Sequence, residues 1–402
     1  MPRRFILRRN RGSLSLATGR GASPVLLQQA TTQRRPLSIF AALLTLLVLG
    51  GCTKTEVVSP RLSDAERHQI ATRIAAVLED TGGVSVWVKG PPYVPFPPQR
   101  ADTAAEVVAE SGSFDRALAA LQGQAGREGL AAKVRVSEGQ RAMRLAEVRL
   151  TRGRDQAGRW LVREVPRLRY ATIVIDDLGQ DLPAARKLVS FPYPLTFSIL
   201  PHLRHSTETA DEAHRAGREV MLHFPMEPLP DAPVGPGPGE IKVGMRQAEV
   251  AQILNQNLAT VPYARGTNNH MGSRATADPA LMTGVMRLLD ERHLYFVDSR
   301  TTGATVGLDV ARRVGIPAFY RSVFLDGTET VPYTLGQLRE FRRVLENQGV
   351  AIAIGHPYPT TLAALESFLP ELERADIRLL PASQLLHLPE VASLTPPGEN
   401  HH

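Results

Sequence analysis

The sequence predicts an α/β protein: a parallel sheet of repeated βα units, open or closed as a barrel, preceded by a small α+β domain. Three observations carry that reading. From about residue 168, apolar strand-like runs alternate with amphipathic segments of helical period. Before that, residues 62–166 hold helical patterns and then three strand-like runs separated by turn chemistry. Finally, residues able to ligate metal or move protons close five of the later runs. In a βα fold, the loops that build a site gather at those ends.

The chain begins with an address rather than a fold. Residues 1–35 contain Arg3, Arg4, Arg8, Arg9, Arg11, Arg20, Arg34 and Arg35 and no acid. The uncharged apolar run 37–51 that follows has 15 residues, short of the roughly 20 that span a bilayer. Residues 1–51 therefore read as a secretory signal. Leu49-Gly50-Gly51-Cys52 resembles a bacterial lipobox, which implies that Cys52 becomes the lipidated first residue of a periplasmic, envelope-anchored chain. Thr53 behind it is not an aspartate, which by analogy with Gram-negative lipoproteins favours the outer membrane. One cysteine in 402 residues excludes an internal disulfide framework and any multi-cysteine zinc module. The formal charge of +7, from 47 basic and 40 acidic residues, points at first to nucleic acid. Taking eight arginines away with the signal leaves 39 basic residues against 40 acidic ones. With aromatic content at 5%, nothing else supports a nucleic-acid partner.

The remaining elements follow in order. Residues 52–61 are a polar linker. Ile70, Ile74, Val77 and Leu78 recur at helical spacing over 63–80, with Ser63 as N-cap. Val84, Val86 and Val88 alternate as a strand, ending before the extended connector PPYVPFPP. Residues 103–121 read as a second helix, with Val107, Phe114, Leu118 and Leu121 on one face. KVRVS, MRLAEVRL and WLVREV read as strands parted by turns such as RGRDQAGR. This 62–166 unit shows no catalytic constellation; a spacer, a docking module for an unnamed protein partner or an oligomerisation module fits it. In the second unit, 168–390, the strands are ATIVID, LTFSIL, EVMLHF, ARGTNN, LYFVDS, PAFYR, VAIAIGH and IRLL. Amphipathic segments lie between them at 181–189, 206–217, 246–259, 278–292, 306–314, 336–348 and 360–374, and a tail covers 391–402. No GxGxxG or GxxxxGK[ST] follows the first strand, which removes support from dinucleotide and P-loop readings.

The strand ends choose the chemistry. Asp176-Asp177 closes the first strand, His223 the third and Asn268-Asn269-His270 the fourth. Asp298-Ser299-Arg300 closes the fifth, and Gly355-His356-Pro357 the run VAIAIGH. Each has an ordinary explanation alone, since a strand-end Asp often caps the next helix and a lone His is usually structural. Together on one face they form a site. Two histidines and a carboxylate suit Zn²⁺ or a similar divalent ion with a position open for water. A second carboxylate can take a proton from that water, and a separate His can protonate a leaving group. This is equipment for hydrolysing an amide or ester.

IDD, HFPMEP, NNHMGS, DSRT and GHPYP, in this order and spacing, resemble the divergent polysaccharide deacetylase family over residues 168–390. The resemblance implies the distorted (β/α) barrel of carbohydrate deacetylases and a divalent metal, zinc foremost. It further implies hydrolysis of N-acetyl or O-acetyl groups on peptidoglycan or a secreted polysaccharide. A non-catalytic glycan-binding or cell-wall scaffold protein on the same barrel is the alternative. By this resemblance Asp176 is the base, Asp177 a metal ligand and His356 the general acid. His223 takes the place of the first histidine of the usual His-x-x-x-His pair, while Glu227 stands where the second would be. His270 is the expected replacement ligand, leaving Glu227 as a ligand or as a carboxylate behind the ligands. Asp298 and Arg300 are expected to position His356 or bind substrate, with Ser299, Asn268 and Asn269 as polar contacts. Asp326 reads as structural, and His202, His205, His214 and His293 as solvated.

Overall fold

The Ser63 hydroxyl accepts the Glu66 N–H at 3.2 Å, while the Glu66 carboxylate accepts the Ser63 N–H at 2.8 Å. This reciprocal cap starts helix α1 (Asp64–Glu79). The computed structural model describes residues 61–88, 103–138, 143–374, 377–388 and 391. The expected export signal, Cys52, the linker up to residue 60, the proline cluster 91–98 and the tail beyond 391 lie outside the described residues. Among the described residues, no helix is long and apolar enough to cross a membrane.

Helices α1 and α2 (Phe114–Arg127) pack on one face of a five-stranded sheet. Its strands are β1 (Val84–Val88), β2 (Ala105–Glu110), β3 (Ala131–Glu138), β4 (Arg144–Arg152) and β5 (Asp155–Val165), in the order β1-β2-β5-β4-β3. Neighbours are antiparallel except β2 and β5. The helix expected over 103–121 divides into β2 and α2. Ala105, Val107 and Ala109 enter the core beneath the helices, whereas Glu106 points to the other face and pairs with Arg163 of β5. Period two wins over that stretch, and Ser111-Gly112-Ser113 separates it from the helix. The turn expected across 152–159 shrinks to Gly153-Arg154, because Gly153 at φ 60 permits a two-residue hairpin pairing Arg152 with Asp155.

Among the described residues the second unit holds nine strands, every one parallel to its neighbours. They are β6 (Arg169–Leu178), β7 (Thr196–Ile199), β8 (Glu219–Met226), β9 (Ala264–Met271), β10 (Tyr295–Asp298), β11 (Ala318–Tyr320), β12 (Val323–Phe324), β13 (Val350–Gly355) and β14 (Ile377–Leu379). The sheet order is β11-β10-β9-β8-β7-β6-β13-β12, with β14 against the first residues of β6. Only Arg321 and Ser322 separate the edge strands β11 and β12. The Arg321 N–H donates to the Asp298 carbonyl beside β11, and the Ser322 N–H to the Ile352 carbonyl of β13, each at 2.8 Å. Two consecutive residues thus bridge both ends of the sheet, which curls into the distorted (β/α) barrel that the sequence predicted. Strand β13 is buried throughout and β6 nearly so, as expected of parallel strands covered on both faces.

Helices α3 (Leu182–Val189), α4 (Ser206–Arg215), α5 (Gln247–Thr260), α6 (Pro279–Asp290), α7 (Gly307–Val314), α8 (Val331–Gln348) and α9 (Pro359–Arg374) connect the strands, and α10 (Ala382–Leu386) follows β14. Helix α8 begins five residues before the expected 336. Thr330 caps it and Pro332 sits in its first turn, where a missing N–H costs nothing. Val108 and Val165 of the first sheet enter the barrel's core cluster, and Arg378 of β14 donates to Glu79 at 3.0 Å and to Ser85. The salt link lies beside the start of β6, at the opposite end of that strand from Asp176.

Candidate metal and catalytic site

Two adjacent carboxylates of a regular strand would point to opposite faces. In β6 the pairing with β7 slips between Ile175 and Leu178, and Asp177 takes a φ of 56°. This bulge brings Asp176 and Asp177 into the same mouth. Positive φ recurs at Met271, ending β9, and at Arg300, just after β10. Backbone strain of this kind gathers where side chains must be aimed.

Three ligating atoms meet there. Asp177 Oδ1 lies 3.2 Å from His223 Nε2 and 3.1 Å from His270 Nδ1, and the two ring nitrogens are 3.0 Å apart. A tetrahedral ion about 2.0–2.1 Å from each donor separates its ligands by about 3.3–3.4 Å, so the triangle fits to within a few tenths of an ångström. Hydrogen bonding supports the same reading. Asn268 Nδ2 donates to Asp176 Oδ1 at 2.8 Å, which fixes the amide so that its Oδ1 faces His223 Nδ1 at 2.8 Å. Nδ1 then carries the ring proton, and the Nε2 lone pair points at Asp177. Asp177 Oδ1 is buried and makes no well-directed hydrogen bond, although both ring nitrogens are close. With His270 Nδ1 unprotonated, three lone pairs would converge here at about 3 Å, an arrangement that a bound cation would satisfy. The carboxylates make the local field negative, which favours positive charge at this point. Burial opposes ionisation of Asp177, yet His223 and His270 hold its carboxyl well below the usual range. Burial likewise opposes a charge on His223, but Asp176 and Asp177 raise its pKa.

His356 stands on the far side of the mouth, with Nε2 3.7 Å from Asp177 Oδ2. Asp326 holds it: Asp326 Oδ1 meets His356 Nδ1 at 3.0 Å, while Oδ2 accepts the His356 N–H at 2.5 Å and the Thr361 hydroxyl at 2.8 Å. Gly355 leaves room for this carboxylate, because a Cβ there would sit a tight 3.1 Å from Asp326 Oδ2 and 3.2 Å from Leu325. Burial works against protonation of His356, but Asp326 first, then Asp176 and Asp177, raise its pKa to about 9.

Several expectations change here. Asp298 does not position His356. Its buried carboxylate accepts the Arg300 N–H, the Thr305 hydroxyl and the Leu308 N–H, so it ties down the loop before α7. Burial raises its pKa. Glu227 is not in the triangle either: it accepts from Arg274 at 2.8 Å and from the Val243 N–H at 2.8 Å, tying down the loop after β8. Asn269 accepts the Ser299 N–H at 2.8 Å and donates to the Met271 carbonyl, linking the ends of β9 and β10. Ser299 Oγ accepts from Asn268 at 3.2 Å, and Ser198 donates to Asn268 Oδ1 at 2.7 Å. Arg321 was not anticipated. Its guanidinium donates to the carbonyls of Ser299 and Arg300 and lies 5.0 Å over the Phe324 ring. His202, His205 and His214 stay outside the cluster, on Asn257, Glu208 and the Tyr263 ring respectively.

Asp176, His223, His270, Arg300, Arg321 and His356 line a cleft of about 340 Å³. A larger hollow of about 420 Å³ opens beside α1 and the start of β5. No triad of ligating groups occurs there among the described residues, so the cleft over the triangle is the candidate site. Asn268→Ala is expected to lower affinity for a divalent ion about 10- to 100-fold, because it frees the ring of His223. Calorimetric titration with Zn²⁺ measures this, and unchanged affinity would reduce Asn268 to packing.

The profile described as Divergent polysaccharide deacetylase matches residues 173–386, a span that contains every residue of the triangle and of the cleft over it. The chain belongs to this family. Over 225 residues it is 36% identical to the uncharacterized protein YibQ of Escherichia coli K12, covering 56% of this chain and 70% of that protein. Over 208 residues it is 37% identical to an uncharacterized protein of Haemophilus influenzae Rd, covering 52% and 73% respectively. A crystal structure of an uncharacterized protein from Agrobacterium tumefaciens C58 shares the fold, with a TM-score of 0.52 at 24% identity over 55% of this chain and 89% of that one. Membership of a polysaccharide deacetylase family implies a polysaccharide substrate.

Proposed function

We propose that the chain is an envelope-anchored, metal-dependent deacetylase that removes N-acetyl, or O-acetyl, groups from peptidoglycan or a secreted polysaccharide. The carrying observation is the 3.0–3.2 Å triangle of Asp177, His223 and His270, flanked by Asp176 on one side and the His356–Asp326 pair on the other. Asp177, His223 and His270 would hold the metal, with zinc favoured by a donor set of two imidazoles and one carboxylate. When bound, such an ion polarises a carbonyl and makes water more acidic.

The chain's own groups divide the proton work. Asp176 Oδ1 is held by Asn268, and Oδ2 lies 3.6 Å from His223 Nε2, so the carboxylate borders the metal position as a base for the attacking water. His356, protonated and fixed by Asp326, delivers a proton to the departing amine or alcohol. Arg321, anchored to two carbonyls, walls the cleft between β11 and β12. Anchoring through a lipid on Cys52 follows from the lipobox-like residues.

Acetate release from N-acetylglucosamine oligomers and from peptidoglycan fragments tests the reading. Dialysis against a chelator is expected to abolish release, and stoichiometric Zn²⁺ to restore it. Release that persists after the metal is removed would contradict it.

A further inference from the structure

We infer that the deacetylase cleft selects a carboxylate-bearing glycan, and that Arg300 is the residue that reads the carboxylate. The inference rests on the deacetylase reading for the acetyl chemistry, but its residue-level content is separate.

Arg300 follows β10 at φ 49° and lines the cleft together with Asp176, His223, His270 and His356. Its N–H is taken by Asp298 Oδ1 at 2.9 Å, which fixes the backbone in that left-handed conformation. The guanidinium carbon lies 5.4 Å from the centroid of the Tyr320 ring, a cation–π distance that uses none of its donors. Among the described residues it makes no hydrogen bond and no ion pair. The carboxylates of the mouth are turned elsewhere: Asp176 to Asn268, Asp177 to the metal position it would share with the two histidines, Asp298 to its own loop and Asp326 to His356 and Thr361. A second cation, Arg321, shares the wall and feels the charge of Arg300.

An arginine with its backbone fixed and its guanidinium near an aromatic ring, and with no donor used among the described residues, is arranged for a planar anion. Carboxylate matches that fork with two parallel N–H···O bonds. A neutral N-acetylated sugar offers hydroxyls and amides, which do not answer the charge. A carboxylate on the acetylated unit, or on its neighbour, does. Such a group occurs either as a lactyl ether on the sugar or as a uronic acid, and both present the same chemistry.

The test compares three N-acetylated substrates on the zinc-loaded chain: a neutral N-acetylglucosamine oligomer, a glycan strand containing lactyl-ether sugars, and a uronate-containing polysaccharide. One acidic substrate is expected to exceed the neutral one in kcat/KM by about ten- to hundredfold, the worth of a charge-assisted bidentate pair. Which one does so identifies the source of the carboxylate. Arg300→Gln is expected to collapse that ratio toward one, and Arg300→Lys to restore part of it. Arg300→Asn, which tolerates positive φ, guards against a folding artefact. Equal rates on all three substrates, or a ratio unchanged in Arg300→Gln, would overturn the inference. Equilibrium binding of the same oligomers is measured in parallel. Should no acetate appear from any substrate, the deacetylase reading fails. Tighter binding of an acidic oligomer, lost in Arg300→Gln, then still upholds the role of Arg300, and equal binding overturns it.

Discussion

Replacing His270 with alanine is expected to cost the chain its bound divalent ion and its acetate-releasing activity together. His270 Nδ1 is one corner of a three-atom triangle, 3.1 Å from Asp177 Oδ1 and 3.0 Å from His223 Nε2. Without it, two donors remain, too few for the three-ligand protein site of catalytic zinc. Affinity should fall by more than the roughly 100-fold that follows when only a supporting hydrogen bond is lost. Glu227→Gln is the informative contrast, since Glu227 stands in the usual place of the second histidine yet binds Arg274 and Val243. That variant should keep its metal. Elemental analysis of both purified proteins decides the matter. Metal retained in His270→Ala and lost in Glu227→Gln would reverse the assignment.

Asp176→Asn is expected to separate chemistry from metal binding. The carboxylate is nearly fully buried at the cleft, with Oδ1 held by Asn268 and Oδ2 left toward the metal position. An amide of the same shape fills the space but accepts no proton. Loss of a positioned base typically lowers the rate about 10²- to 10⁴-fold, so kcat should fall by that order while zinc stoichiometry stays at one per chain. Steady-state acetate release with parallel metal analysis measures both. Full activity in Asp176→Asn would assign the base elsewhere.

The barrel was legible because its strands are short apolar runs bounded by helical periodicity, and because the polar residues closing them recur at one end. Asp176, Asp177, His223, His270 and His356 do converge on one mouth. Other features were hidden for identifiable reasons. Asp326 follows β12, a strand of two residues that no periodicity reveals, so nothing marked it as a strand-end carboxylate. Arg321 closes a run that was read as a strand, but its anchoring to the carbonyls of residues 299 and 300 is a tertiary fact. Asp298 looked functional because strand ends favour such residues; its partners, Thr305 and Leu308, are set by the fold of the following loop. The segment 103–121 misled because Val107 and Phe114 happen to fall seven apart, a helical interval. The alternation of Ala105, Val107 and Ala109 beneath two helices decided otherwise.

The central claim is that Asp177, His223 and His270 hold a divalent ion. X-ray diffraction from a crystal of the zinc-loaded protein, collected on either side of the zinc absorption edge, tests it most directly. The account predicts one strong anomalous peak about 2.0–2.2 Å from Asp177 Oδ1, His223 Nε2 and His270 Nδ1. A peak placed at Glu227 instead, or an ordered water within the triangle of a protein saturated with zinc, would contradict it.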